Sequence, residues 1–220
     1  MLLAVDTSTT QVGLALYDGA QVIAEYAWRS GQRHTTELAP SIHELLTHCG
    51  LTMDDVTALA VALGPGSFTS LRVGLALVKG LALSKHIPLI GIPTLDILVN
   101  AQPASKHPLL CAIQAGRGRF AIGEYKSSKK GWQAQGTARV ATLEALMAEV
   151  QNPFIVCGEF SAEDIQKMKE KNIQLASPAQ SVRRPAVLAE LAWARWQAGD
   201  VDDEATLAPI YLHTEGSPPA

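Results

Sequence analysis

Asp6-Thr7-Ser8-Thr9-Thr10 sets one carboxylate and four hydroxyls in a row, directly after an apolar run from Met1 to Val5. Such a turn can hold a phosphate, with Asp6 placed to organise a water or a metal ion. Ordinary turn chemistry uses the same residues, because Asp, Ser and Thr bond their own backbone. Gly64-Pro65-Gly66-Ser67-Phe68-Thr69-Ser70-Leu71-Arg72 follows a second apolar run, Ala58 to Leu63, and opens a third. A glycine-rich turn between strand and helix can aim backbone N–H groups and a helix N-terminus at an anion. It is not a Walker loop, since no Lys-Ser/Thr pair follows the glycines. Nor does Ser67 stand in the Gly-x-Ser-x-Gly spacing of a nucleophile elbow. A structural turn with Ser67 or Thr69 as helix cap accounts for the stretch equally well.

The remaining chemical residue types lack workable spacing. His43-Glu44 and His48 have the composition of a zinc-protease helix, but histidines five apart point about 140° from each other at 3.6 residues per turn. Metal ligation is rejected there, and His34, His43 and His48 read as surface or interface residues. Gly116-Arg117-Gly118 lacks the full dinucleotide fingerprint, and no ordered Ser/His/Asp set supports a peptidase. Cys49, Cys111 and Cys157 lie far apart in apolar segments. Their odd number and the lack of Cys-x-x-Cys spacing point to reduced thiols in a cytosolic protein.

The elements that must position these groups follow from periodicity. Strands are expected over Met1–Val5, Val12–Tyr17 and Val22–Tyr26, with Asp18-Gly19 as a hairpin turn. Leu38, Ile42, Leu45, Leu46 and Cys49 fall at helical spacing, with Pro40 in or near the first turn and Gly50 as the stop. Thr52 and Asp55 form a capping-box pair. The helix opened by the glycine turn is apolar nearly all round, which implies burial or a subunit contact; Gly74 and Gly80 within it imply close approach by a neighbouring helix. Ile87–Ile92 reads as a strand, followed by a helix capped by Thr94. Gln102–Pro108 is the linker candidate. Beyond it the opening recurs, with strands at Leu109–Ile113, Arg119–Tyr125 and Trp132–Val140. Helices capped by Thr142 and Ser161, a strand at Phe154–Gly158 and a helix from Pro185 to Trp196 complete the chain.

The chain is therefore α/β, with two successive halves that each open on three antiparallel strands. At 220 residues and 47% hydrophobic it can bury one large core or two modest ones. A net charge of −3 gives no electrostatic footprint for nucleic acid. The first residues show no basic region ahead of an apolar stretch, so no secretion signal is expected, and Lys79, Lys85 and Pro88 interrupt the apolar runs short of a membrane span. A soluble, cytoplasmic protein is expected.

The duplicated plan is that of the actin, hexokinase and Hsp70-type ATPases: ribonuclease H-like domains, each a mixed sheet flanked by helices. The expected limits are 1–103 and 108–200, with 201–220 a partly extended tail that is loose at its end. Leu3-Ala4-Val5-Asp6-Thr7-Ser8-Thr9, His34-Thr35-Thr36-Glu37-Leu38-Ala39-Pro40, Gly64 through Gly74, and Pro209-Ile210-Tyr211-Leu212 stand in order. Together they resemble the TsaB (YeaZ-type) family, paralogous subunits in bacterial synthesis of threonylcarbamoyladenosine on tRNA. The resemblance runs through the first hundred residues and is thinner after the linker.

What the resemblance implies is a partner subunit without catalysis of its own. In the catalytic relative TsaD, a His-x-x-x-His pair binds a metal; alignment puts Thr94 and Leu98 at those places, and neither is a serviceable ligand. By resemblance the chain docks TsaD through the helices starting near His34 and Ser67. The contact would then hold His34, Leu38, Ile42, Leu45, Ser67, Phe68, Ser70, Leu71, Gly74 and Val78. TsaE, an ATPase, completes the modification of the tRNA adenosine next to the anticodon, and tRNA is met only through the complex. The same face is expected to make homodimers when TsaD is missing. Asp6, Thr7, Ser8 and Thr9 become a vestigial nucleotide loop, with no tightly bound cofactor and ATP or ADP left as a ligand of the subunit boundary. Two departures stand out: Ser70 where the family usually has glycine, and Gln114 where many relatives carry aspartate. The competing reading is an ATP-dependent small-molecule kinase or acyltransferase of the same superfold, using Asp6 and Thr7–Thr10.

Overall fold

The computed structural model describes residues 1–31, 33–116, 118–129, 131–150 and 154–212. They form two α/β units, one from Met1–Ile97 with Arg183–Ile210, the other built on Leu98–Val182. Each opens with antiparallel strands and continues as helix and parallel strand, the duplicated plan expected.

In the first unit β1 (Leu2–Asp6), β2 (Gln11–Tyr17) and β3 (Val22–Arg29) make a meander turned at Asp18-Gly19, with Gly19 at φ 97°. Then come α1 (His34–His48), a 3-10 turn at Met53–Asp55, β4 (Ala58–Gly64), α2 (Phe68–Lys85), β5 (Leu89–Pro93) and α3 (Thr94–Asn100). The sheet order is β3-β2-β1-β4-β5, with β1, β4 and β5 parallel. Strands buried on both faces show no apolar/polar alternation. Here they alternate in size instead. Leu3, Val5, Leu59 and Val61 meet Leu38, Leu45, Leu75 and Val78 of α1 and α2. Ala4, Ala58, Ala60 and Ala62 lie on the opposite face with Leu2, Ile90 and Ile92, and the run of alanines lets those of a further helix lie close.

That helix is α6 (Pro185–Gln197), which closes the second core with Leu188, Ala189 and Ala192. Its placement corrects the expected 108–200 domain: an alanine face needs a cover, and the chain returns to supply it. Glu25 of β3 anchors the start of α6, accepting the Ala186 N–H at 3.0 Å. The chain then crosses back over the first sheet as expected, with Asp202 N–H donating to Leu89 and Ile210 N–H to the Leu63 carbonyl at 2.8 Å. The expected loose end of the tail, Gly216–Ala220, lies outside the described residues.

A second correction concerns Pro40, which sits within the body of α1 rather than its first turn. It has no N–H to give the Thr36 carbonyl, the usual cost of an interior proline. Gly50, at φ 68°, ends the helix as expected.

The second unit comprises β6 (Leu109–Gln114), β7 (Arg119–Ser128), β8 (Gly131–Ala134), β9 (Arg139–Thr142), α4 (Leu143–Glu149), β10 (Ile155–Gly158), α5 (Ala162–Glu170) and β11 (Gln174–Leu175). The strand expected over Trp132–Val140 is two short ones, β8 and β9, each antiparallel to β7. β6, β10 and β11 are parallel. Thr142 and Ser161 cap α4 and α5, the latter in a capping box with Asp164. Phe120, Ile122, Leu143, Leu146, Val156 and Met168 fill the core. Arg117, in the Gly116–Gly118 turn weighed above, and Lys130 lie outside the described residues.

Candidate functional site

The turn after β1 is closed on itself. Thr7 Oγ1 donates to the Ser70 carbonyl at 2.8 Å. Ser8 Oγ lies 2.8 Å from Thr94 Oγ1, which also accepts the Gly64 N–H at 2.9 Å. Thr9 Oγ1 accepts from the Arg183 guanidinium at 3.0 Å. Asp6 takes the Ser8 N–H on Oδ1 and Arg183 Nε on Oδ2, both at 2.8 Å. The Asp6 and Arg183 side chains are 2% and 1% exposed, a fully buried pair. Arg183 donates further to the Gln11 carbonyl. The carboxylate thus faces a guanidinium built into the fold, and the hydroxyls brace neighbouring backbone.

The glycine turn locks onto the same residues. Ser67 N–H donates to the Ser8 carbonyl at 2.7 Å, and a Cβ on Gly66 would fall 2.2 Å from that oxygen. Ser67 caps α2, its Oγ accepting from the Ser70 N–H at 3.5 Å and also from Ser70 Oγ at 3.0 Å. Gly74 is the point where α2 meets the turn, since a Cβ there would lie 2.2 Å from Thr7 Oγ1. Its close neighbour is this chain's own Thr7 rather than another helix, which corrects its expected place in a subunit contact. Around Gly80 a Cβ would meet no atom within 4 Å.

Outside this brace, α1 and α2 leave an apolar groove. One compartment of about 490 Å³ runs between Thr35, Ala39, Phe68, Arg72, Ala76 and Leu77. The next, about 370 Å³, shares Ala39 and Leu77 and continues past His43, Thr47, Met53 and Leu81. Phe68 is 50% exposed and stacks under Arg72, whose guanidinium carbon is 3.7 Å from the ring centroid.

The ten residues expected at the contact divide. Leu38, Ile42, Leu45, Ser70, Leu71, Gly74 and Val78 are buried in the chain's own core, although Leu38 and Ile42 also form part of the groove wall. His34 is buried too, its Nε2 donating to the Thr9 carbonyl at 2.8 Å. Only Ser67 and Phe68 of that set keep appreciable exposure. The reason is geometric: the apolar stripe of a helix lying on a sheet faces the sheet, so a docking surface falls on its flank. Sequence reading missed Ala39, Ala76 and Leu77 for that reason, whereas Gly80 it singled out as a point of close helix approach. It missed Arg183 because its partner lies 177 positions away.

Thr94 and Leu98 do not fit a metal. The Thr94 hydroxyl is engaged with Ser8 and Gly64, and Leu98 offers no donor. Thr94 bridges two loops instead of capping α3 as expected. Gln114, half-buried at the end of β6, pairs with Phe120.

Residues 22–188 match the family model described as TsaD, tRNA N6-adenosine threonylcarbamoyltransferase. The Bacillus subtilis tRNA threonylcarbamoyladenosine biosynthesis protein TsaB is 31% identical over 219 residues, 96% of this chain and 93% of the relative. The chain belongs to the TsaB family. The Escherichia coli TsaB is 34% identical over 155 residues, 68% of this chain and 66% of that protein. YeaZ from Pseudomonas aeruginosa superposes with a TM-score of 0.75 at 24% identity, over 95% of this chain and 99% of its own, which carries the fold. The TsaB fold is thus two α/β units, each opening on antiparallel strands and continuing as helix and parallel strand. No helix among the described residues is long and apolar enough to cross a membrane.

Proposed function

We propose that this chain serves threonylcarbamoyladenosine synthesis as a non-catalytic subunit that docks and stabilises TsaD through the α1–α2 groove. The observation that carries the reading is the groove itself: two joined apolar compartments with no described segment of the chain laid in them, flanked by exposed Phe68, Ala76 and Gly80. Ala76 and Gly80 stand one turn apart on the exposed side of α2, where small residues permit a partner helix to approach closely. On this reading the contact is Thr35, Ala39, Phe68, Arg72, Ala76, Leu77 and Gly80, with the buried leucines behind them supporting the helices. TsaE completes the assembly, tRNA is its substrate, and without TsaD the same groove pairs two copies of this chain.

The kinase or acyltransferase reading is weakened by Arg183. A phosphate or metal at Asp6 would have to displace a buried, hydrogen-bonded guanidinium. Any ATP or ADP is accordingly assigned to the boundary with TsaD rather than to this turn. Reconstitution of TsaD and TsaE with tRNA, with and without this chain, tests the function. Modified adenosine is expected only when the chain is present; equal modification in its absence would refute the subunit role.

A further inference from the structure

The whole-chain charge conceals a division. The first unit carries eight Lys and Arg against thirteen Asp and Glu, whereas Leu98–Val182 carries ten against seven. Topology then gathers part of that excess. β6, β10 and β11 run parallel and start at one end of the second sheet, while β7 finishes there: Tyr125 pairs with Leu109, and the β7–β8 hairpin projects past the start of β6. Segments entering or leaving that end bring Lys106 and His107 before β6, Lys126 and Lys129 at the hairpin, and Lys169 and Lys171 at the C-terminal end of α5, ahead of β11. All six side chains are exposed. The Trp132 indole donates to the Gln102 carbonyl at 3.2 Å, tying the hairpin to the loop that carries Lys106.

None of the five lysines enters an ion pair among the described residues. The acids nearby are engaged or few: Glu149 is taken by Arg139, and Glu170 accepts from Gln166. At a strand spacing of about 4.8 Å the five-strand end spans roughly 20 Å. Unpaired ammonium groups spread over such a width suit a repeating polyanion better than a single small anion.

We infer that this end of the second unit contacts the phosphate backbone of RNA, the tRNA substrate on the function proposed above. Contact with tRNA is then made directly by this chain, which the net charge of −3 disguises. The contact reads charge and not base identity, so its strength should fall steeply with salt.

The test is the affinity of the full-length chain for an unmodified tRNA transcript, by fluorescence anisotropy across salt concentrations, together with TsaD capture by the same proteins. In Lys126→Glu/Lys129→Glu and, separately, Lys169→Glu/Lys171→Glu, affinity at low salt should fall about tenfold or more. The slope of log affinity against log salt should shrink by roughly 1.4–1.8, two phosphate contacts' worth. Capture of TsaD should be unchanged. Wild-type affinity in either double variant overturns the inference, as does binding to an acidic polypeptide with none to tRNA. Loss of TsaD capture by the wild-type chain would instead refute the docking reading and leave the tRNA measurement to stand alone.

Discussion

Arg183 Nε lies 2.8 Å from Asp6 Oδ2 with both side chains removed from solvent, so the one acidic group in the opening hydroxyl turn is already neutralised. The pair ties the chain's return segment to the end of β1. Through Thr7 and Ser8 the same turn holds Ser70, Gly74 and the glycine loop, and with them the start of α2. A turn that looks poised for phosphate is thereby a brace for the helix that borders the groove.

Arg183→Met should leave a buried carboxylate without its partner and destabilise the fold by about 3–5 kcal/mol. Adding Asp6→Asn should recover part of that loss, because a neutral amide is cheaper to bury alone. Urea denaturation of the single and double variants measures both. Titration of the wild-type chain with ATP and magnesium should give no binding heat; tight binding would revive the kinase reading.

Gly74 and Gly80 should respond oppositely to alanine. At Gly74 the new methyl meets a stiff, hydrogen-bonded threonine, for an expected loss of about 1–3 kcal/mol. At Gly80 the space is open, and helix propensity should add about 0.5–1 kcal/mol. Chemical denaturation distinguishes them, and equal effects would contradict the packing described. Gly74→Arg would disrupt the fold and is no probe of docking.

Glu25 gives a pH signature. Burial pushes its carboxyl up, but hydrogen bonds from Arg184 and the Ala186 N–H outweigh this and hold it below its usual 4.5. A depressed folded value means the stabilisation is whole above the unfolded value and is lost as pH falls through the folded one. The wild type should therefore exceed Glu25→Gln in stability near neutral pH, and the gap should close on acidification below about pH 4.5. Urea midpoints measured from neutral to acid pH check this; a gap that stays constant would show that Glu25 is not charged in the fold.

Much of the fold is legible in the sequence because local rules act on neighbours. Ser67, Thr142 and Ser161 cap the helices they precede, and Asp18-Gly19 turns its hairpin. The alternation Ala58-Leu59-Ala60-Val61-Ala62-Leu63 even encodes the two helical layers, large residues toward α1 and α2 and small ones toward α6. It does not say which distant helix supplies the second layer, so α6 is misassigned by sequence order. The site is less legible. Periodicity finds Leu38, Ile42, Leu45 and Val78, but the strongest apolar stripe is the one the chain keeps for itself. Gly74 and Gly80 look alike as letters; only the neighbour at 2.2 Å separates them. Asp6 announces itself, whereas Arg183 is defined by a contact spanning 177 positions.

Docking on the α1–α2 flank is tested most directly by Ala76→Arg, which adds a long cation to an exposed position and disturbs no core contact. Affinity for TsaD should fall about tenfold or more, at least ~1.4 kcal/mol, with the thermal midpoint of the isolated chain unchanged. A variant that keeps both its stability and wild-type affinity for TsaD would place the partner elsewhere and contradict the groove as the docking surface.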